Sequence, residues 1–398
     1  MDAYIIDYRR TPVGKLGGKL SDYRPDDLAA IVIRDLVGRN REIDFSKTDD
    51  VILGCANQAG EDNRNVARFA GLLAGLPVEV PGVTVNRLCA SGMQSVTDAA
   101  AMIGSGMADL VIAGGVESMS RAPYVMAKPA KAFDRQMELF DTTLGWRFIN
   151  PKFTELYHPF SMGETAENIA ERWNISREVQ DQFAWSSHMK YLDAHYDGKF
   201  APEIIPLLPP DEEFGIPDEG VRPDTTLAKL ATLPAVFREG GSVTAGNASG
   251  LNDGAAAMVI VSERFLRKQQ LKPLAKIVSA AVAGVHPDIM GTGPVPAIRK
   301  LLERTGIAIE DIGLFELNEA YAAQVVYCTV ELGIDPAKVN VNGGALAIGH
   351  PLGVSGTRIT GHLALELQRR NLRYGIASMC VGVGQGTAIL IENLNIAQ

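Results

Sequence analysis

The sequence predicts an α/β protein made of two copies of one α/β half, with a loop-rich region inserted between them. Three observations predict it. Strand-like and helix-like runs alternate at short intervals towards both ends of the 398-residue chain, which implies a sheet with helices on its faces. Asp50-Val-Ile-Leu-Gly-Cys-Ala-Asn57 aligns with Asp311-Ile-Gly-Leu-Phe-Glu-Leu-Asn318 at a shift of 261, and the same shift takes Cys89 to His350 and Gly92 to Gly353. A shared register of that kind marks an internal duplication. Residues 121–249 differ in character: they are rich in proline, carry aromatics such as Trp146, Phe148 and Phe160, and include the acidic run Pro210-Asp-Glu-Glu-Phe. The expected units are an N-terminal half over 1–120, an inserted loop domain over 121–250 and a C-terminal half over 251–398.

In the first half, residues 3–7 alternate as a short strand, and 26–37 place apolar residues at helical spacing. Residues 51–53 form a strand running into Gly-Cys-Ala-Asn-Gln, 63–73 a second helix and 83–86 a buried strand. A helix rich in small residues follows over 90–104, then a strand over 110–113 that ends in Gly-Gly. The C-terminal part repeats the plan, with helix 296–304, strand 312–317, helix 321–332, strand 339–341, helix 355–369 and strand 376–379. If the halves pack face to face, equivalent turns meet near the pseudo-twofold axis. Cys89 and His350 then become neighbours.

Composition narrows the function classes. Apolar content of 46% with 21% charged residues is that of a soluble globular protein. A net charge of −9 argues against a nucleic-acid or anionic-membrane surface. No apolar run reaches the roughly 18 residues that a spanning helix needs. Met-Asp-Ala-Tyr-Ile-Ile reads as a strand rather than a signal peptide, and the final Asn-Ile-Ala-Gln is neither a peroxisomal nor a retention signal, so the cytoplasm is the expected location. Cys55, Cys89, Cys328 and Cys380 show no CxxC spacing and are expected as free thiols. The six histidines have no metal-ligand spacing, no phosphate loop is present, and neither a metal nor a resident cofactor is expected.

Two cysteines and one histidine, each set among small residues, carry the candidate chemistry. Cys89 lies in Val-Asn-Arg-Leu-Cys-Ala-Ser-Gly-Met (85–93), between a strand and a helix. A thiol with an ordinary pKa near ~8.5 needs help to become a thiolate, and the helix dipole would favour the anion while His350 takes the proton. The other reading of Cys89 is a small buried hydrophobe, although Ala90, Ser91 and Gly92 leave room for a ligand beside the sulfur. His350 sits among glycines from Gly343 to Gly356, which let backbone and imidazole approach a carbonyl. Before a proline it is also a plausible turn cap. Cys380 enters a turn with glycines at 382, 384 and 386, whose N–H groups can form an oxyanion hole. Asn318, in Leu-Asn-Glu-Ala, either holds a water or simply forms a turn.

The chain resembles the thiolases over essentially its whole length. The motifs are Asn-Arg-Leu-Cys-Ala-Ser-Gly-Met, Gly-Gly-Val-Glu-Ser-Met-Ser (114–120), Val-Thr-Ala-Gly-Asn-Ala-Ser-Gly (243–250), Asn-Glu-Ala (318–320), Gly-His-Pro-Leu-Gly-Val-Ser-Gly and Cys-Val-Gly-Val-Gly-Gln-Gly. The resemblance implies a five-layered αβαβα core, coenzyme A thioesters as substrates and a homodimer or homotetramer. It implies that Cys89 is acylated, that His350 activates it, that Cys380 moves the second proton, and that Asn318 positions a water beside His350. The N–H groups of Cys89 and Gly382 would make a second oxyanion hole. Coenzyme A contacts carry over to Ser249, Met162, Phe237 and Met290 along the pantetheine arm and to Arg222 near the nucleotide. Where some thiolases have a histidine before Met162, this chain has Ser161.

The motifs resemble those of degradative 3-ketoacyl-CoA thiolases, and that is the expected activity. Acetoacetyl-CoA thiolase is an alternative, and Asp141-Thr-Thr-Leu-Gly-Trp-Arg-Phe also resembles 3-oxoadipyl-CoA thiolases. A decarboxylating ketosynthase would lack the second acid/base cysteine. An inactive acyl-CoA or lipid-binding relative would have lost one of the four reactive groups.

Overall fold

The computed structural model describes residues 2–207 and 215–396, and the acidic run at 210–214 lies outside them. Strand β1 (Ala3–Arg10) sends its side chains into two cores: Ala3, Ile5 and Tyr8 into one, Tyr4 and Ile6 into the other. Helix α1 (Pro25–Arg39), β2 (Asp50–Gly54), α2 (Val66–Leu73), β3 (Gly82–Val85), α3 (Ser91–Gly104) and β4 (Leu110–Ser118) follow where the periodicity puts them. The inserted region contributes α4 (Met162–Arg172) and α5 (Arg177–Tyr196). Then come β5 (Asn252–Ser262), β6 (Ala275–Gly284), α6 (Pro294–Thr305), β7 (Ile312–Leu317), α7 (Ala322–Glu331), α8 (Leu352–Arg369), β8 (Tyr374–Val381) and β9 (Gln385–Glu392).

The sheet order is a mirror of itself. It runs β3-β2-β4-β5-β1 and continues as β6-β9-β8-β7, joined where Ala3, Tyr4 and Ile5 pair with Ile277, Lys276 and Ala275. In both halves the outer strands are parallel (β3 with β2 with β4; β7 with β8) and the inner ones antiparallel. The strand expected at 339–341 is reduced to one parallel bridge, Phe315 to Val339, in the place that β3 holds in the first half. Strand β5 hydrogen-bonds between β1 and β4, so the unit expected over 251–398 opens with a strand of the first sheet.

Three cores separate five layers. Helices α1 and α2 cover the outer face of the first sheet through Leu28, Ile33, Val66 and Ala70 against Val51, Ile112 and Val259. Helices α3 and α8 fill the middle, with Met93, Val96, Val354 and Leu363 between Val111, Met258, Met379 and Ile389. Helices α6 and α7 close the far side through Ile298, Leu301 and Val325 on Phe315, Ile376 and Leu390. Alternate residues of one strand, such as Val111 and Ile112, therefore enter different cores, and the strands read as continuous apolar runs.

The insertion is more ordered than its composition suggests. Helix α5 escapes a periodicity search because it is packed on several sides, burying Gln180, Asp181 and His188 with Ala184 and Tyr191, whereas α4 does present one buried face, through Thr165, Ala166, Ile169 and Ala170. A buried charge cluster ties the insertion to both halves. Arg10 Nε donates to Glu203 (2.7 Å) and its Nη1 to Asp218 (2.8 Å), while His362 of α8 lies 2.8 Å from Glu203. Burial alone would raise the Glu203 carboxyl, but the charges of His362 and Arg10 hold it down to about 2.

The middle layer closes only because its helix starts are glycines. A Cβ on Gly92 would sit 2.5 Å from the Gly353 carbonyl and 2.7 Å from Thr357 Oγ1, and one on Gly356 2.3 Å from the Met93 nitrogen. Gly92→Ala is therefore expected to destabilise the fold by about 1–3 kcal/mol, the usual cost of overpacking. A urea midpoint equal to that of the parent would contradict this.

Candidate active site

Cys89 is presented by a tight turn between β3 and α3. Leu88 takes a left-handed φ of 47°, its N–H donates to Asn86 Oδ1 (2.8 Å), and Ser91 Oγ donates to the Leu88 carbonyl (2.6 Å). A leucine at positive φ is strained and persists only where its surroundings impose it. The Gly382 N–H and the Cys89 N–H both reach the sulfur, so two backbone donors converge there.

His350 stands in the equivalent turn, immediately before α8. The contact of Gly92 with Gly353 and Thr357 brings the two helix starts together, as the duplication predicts. Ser355 Oγ lies 2.6 Å from His350 Nδ1 and itself donates to the Pro351 carbonyl (3.0 Å). A proton on Nδ1 fits these partners, since Ser355 Oγ can then accept from the ring while donating to Pro351, and it leaves Nε2 as an acceptor. Asn252 Oδ1 accepts the His350 N–H (2.9 Å) and fixes the backbone. Asn318 Nδ2 lies 3.4 Å from Nε2, while its buried Oδ1 has no partner among the described residues, an acceptor suited to a water.

Cys380 lies at the end of β8, buried in a cluster with Met290, Ala320, Met162 and Tyr321. It is close enough to Cys89 for a thiolate there to raise the Cys380 pKa, on top of the larger effect of burial. The turn after it holds Val383 and Gly384 at positive φ, and Gly382 packs on Leu88 and Met162. The expected catalytic set of Cys89, His350, Asn318, Cys380 and Gly382 is thus gathered around the meeting of α3, α8 and the β8 terminus.

The coenzyme A candidates divide. Met162 and Phe237 line a cavity of about 500 Å³ together with Cys89, Gly382, Tyr321, Glu117 and the 142–147 segment. Arg222 lines a second cavity of about 390 Å³ with Lys15, Lys229, and Ala248 and Gly250, which flank Ser249. Ser249 N–H donates to the Ala320 carbonyl (2.9 Å), and Ala248 bridges to Tyr321, a residue of the first cavity's wall. Met290 is buried behind Cys380. Ser161 caps α4, accepting the Glu164 N–H while Glu164 accepts the Ser161 N–H, and so helps to fix Met162 at the cavity wall.

The electrostatics correct one expectation. Burial pushes the Cys89 thiol up to about 11, and the two N–H groups aimed at it only partly offset this. Burial, and then the charge of Arg358, pulls the His350 imidazole down to about 3. The helix dipole does not leave a standing thiolate; desolvation wins. Both shifts favour the neutral forms, a thiol at Cys89 and an uncharged imidazole at His350.

Comparison with known proteins settles the family. Residues 3–264 match the thiolase N-terminal domain and residues 271–393 the thiolase C-terminal domain. The chain belongs to the thiolase family. This thiolase is 54% identical to the 3-oxoadipyl-CoA/3-oxo-5,6-dehydrosuberyl-CoA thiolase of Escherichia coli strain K12, over 99% of this chain and 100% of the relative. It is 44% identical to the 3-ketoacyl-CoA thiolase of Bacillus subtilis, over 98% and 99% of the two chains. The crystal structure of human mitochondrial 3-ketoacyl-CoA thiolase in complex with CoA superposes with a TM-score of 0.90 at 40% identity, covering 98% of each chain. As a thiolase, this protein is an acyltransferase. Ser355 is the site neighbour that motif reading left without a part: it lies inside Gly-His-Pro-Leu-Gly-Val-Ser-Gly, but only the fold of the α8 start turns it back onto the His350 ring.

A neutral Cys89 predicts its reactivity. Iodoacetamide labelling, followed by peptide mass spectrometry, is expected to accelerate about tenfold per pH unit from neutrality upward, because only the thiolate reacts. A rate that levels off by pH 8 would mean a preformed thiolate.

Proposed function

We propose that this thiolase cleaves 3-oxoadipyl-CoA with coenzyme A, giving acetyl-CoA and succinyl-CoA, and that it runs in reverse as a Claisen condensation. The observation that carries the substrate is the full-length match at 54% to a relative named for it, against 44% to one named for 3-ketoacyl-CoA in general. The narrower substrate replaces general 3-ketoacyl-CoA cleavage as the reading best supported. CoA thioesters as substrates are supported by the CoA-bound human relative and by Lys15, Arg222 and Lys229 around the second cavity.

The proposed chemistry uses the groups gathered at the helix starts. His350 Nε2 takes the Cys89 proton as the sulfur adds to the ketone carbon, C3. The backbone donors near Cys89, and Asn318 with a water beside His350, are placed to stabilise alkoxide and enolate oxygens. Collapse of the alkoxide breaks the C2–C3 bond and leaves succinyl-Cys89. The departing acetyl-CoA enolate receives its proton at carbon from Cys380. That proton has to come from a weak acid held beside the carbanion, and burial keeps the Cys380 thiol protonated well above the ordinary thiol range. Coenzyme A then gives its thiol proton to the Cys380 thiolate and its sulfur attacks the acyl carbon, releasing succinyl-CoA and the Cys89 thiolate. That thiolate recovers its proton from His350.

Mixing the protein with 3-oxoadipyl-CoA, 3-oxohexanoyl-CoA or acetoacetyl-CoA, each with free CoA, tests this by loss of the 3-oxo thioester absorbance. Preference for 3-oxoadipyl-CoA is expected, and a preference for either neutral substrate would reject the proposed substrate. Cys89→Ala is expected to form no acyl adduct by mass spectrometry. Cys380→Ala should still take a succinyl group from succinyl-CoA but cleave about 10²–10⁴-fold more slowly, the range of general acid catalysis. Equal loss in both half-reactions would contradict the division of roles.

A further inference from the structure

The cavity beside Cys89 carries one cation that the chemistry above does not use. Arg147 lines it, half-buried, in the 142–147 segment of the insertion. No described residue forms a hydrogen bond or ion pair with its guanidinium, although most arginines of comparable burial in this chain are paired, as Arg121 is with Glu61 and Arg177 with Asp181. The other wall residues are mostly apolar or small: Leu88, Met119, Leu144, Trp146, Met162 and Phe237 among them. The one carboxylate there, Glu117, is already occupied, accepting N–H groups from Ala56 (2.9 Å), Asn57 (3.0 Å) and Gly353 (2.7 Å). It is not available to neutralise Arg147.

The segment is held in place. Gly145 takes a φ of 89°, a conformation that a side chain would oppose. The Trp146 indole donates to the Phe160 carbonyl (2.9 Å) and its ring packs 5.4 Å from that of Phe153. Asn57 Nδ2 donates to the Thr142 carbonyl (3.1 Å), tying the segment to the turn after β2. A guanidinium on a braced loop is preorganised for a planar anion and loses little freedom on pairing.

We infer that Arg147 is the specificity residue that pairs with the terminal carboxylate of the substrate's acyl chain. This deepens the proposed function and rests on it. In succinyl-Cys89 the carboxylate lies two methylenes beyond the thioester carbon, so a short dicarboxylic chain has its charge at the cavity wall rather than in bulk water. Arg–carboxylate pairs are strong and bidentate in a partly desolvated site. An uncharged chain of the same length leaves the guanidinium without a partner in an apolar cavity, which discriminates against it.

The test is a ratio. For Arg147→Gln, Arg147→Lys and the parent, kcat/KM is measured with 3-oxoadipyl-CoA and with 3-oxohexanoyl-CoA, which has a methyl group in place of the carboxylate. Arg147→Gln is expected to lower the preference for the dicarboxylic substrate about 10- to 100-fold, the scale of one charged hydrogen-bonded pair, mainly through KM. Arg147→Lys should recover part of it. Equal losses on both substrates, or an unchanged preference, would overturn the role of Arg147 while leaving 3-oxoadipyl-CoA as the substrate. A parent enzyme that prefers 3-oxohexanoyl-CoA would overturn both.

Discussion

The active site depends on two helix starts being able to touch. Cys89 lies two residues before α3 and His350 two residues before α8, so the distance between the proposed nucleophile and base is set by how closely those helices begin. Gly92, Gly353 and Gly356 allow that approach, and Gly115 in β4 meets the Gly353 carbonyl at a distance no Cβ could tolerate. Duplication explains why the geometry exists at all. A turn that presents one reactive side chain in a single half becomes, when two halves pack about a pseudo-twofold axis, a pair of turns facing one another. One copy then carries a thiol and the other an imidazole.

Burial is the price of that arrangement, and it shapes the chemistry. The layer that brings the groups together also excludes water, which penalises every charge in it. Cys89, Cys380 and His350 are all pushed towards their neutral forms, and Glu117 is raised to about 7 by burial despite the N–H groups it accepts. A neutral site suits a reaction whose charges are transient. In the proposed reaction alkoxide and enolate would appear and vanish within it, and preorganised N–H donors stabilise such charges best where water does not compete. A permanent thiolate–imidazolium pair would have to outweigh the burial that pushes both Cys89 and His350 towards their neutral forms.

Much of this was legible in the sequence because the signals were local or repeated. The 261-residue shift found the equivalent turns, and the small residues around Cys89, His350 and Cys380 marked close approach. Most of the expected α and β runs fell where periodicity put them, but 339–341 is a single bridge, and β5, β6 and β9 had no expected counterpart. What escaped was set by tertiary contact. Helix α5 buries residues on several sides, so it has no clean apolar stripe to find. Strand β5 lies beyond the insertion in sequence but hydrogen-bonds into the first sheet, and no local pattern says which sheet a strand will join. The helix-dipole argument for Cys89 was sound in sign but met a larger opposing term, since desolvation is invisible until the cavity walls are known. Ser355 was in view as a motif residue, yet its role depends on the first turn of α8 folding back over the imidazole.

The division of labour between halves and insertion follows from these contacts. Cys89, His350, Asn318, Cys380 and Gly382 all belong to the duplicated halves, whose glycine contacts tolerate little change. The far wall of the Cys89 cavity comes instead from the insertion, at 142–147, 161–163 and Phe237. That wall is braced through side chains such as Trp146 and Asn57, and its cavity-facing residues can vary without moving the helix starts. Selection for a new acyl chain can therefore act on the insertion alone. An arginine on that wall which pairs with no described residue is informative, because nothing in the proposed bond-breaking chemistry requires it.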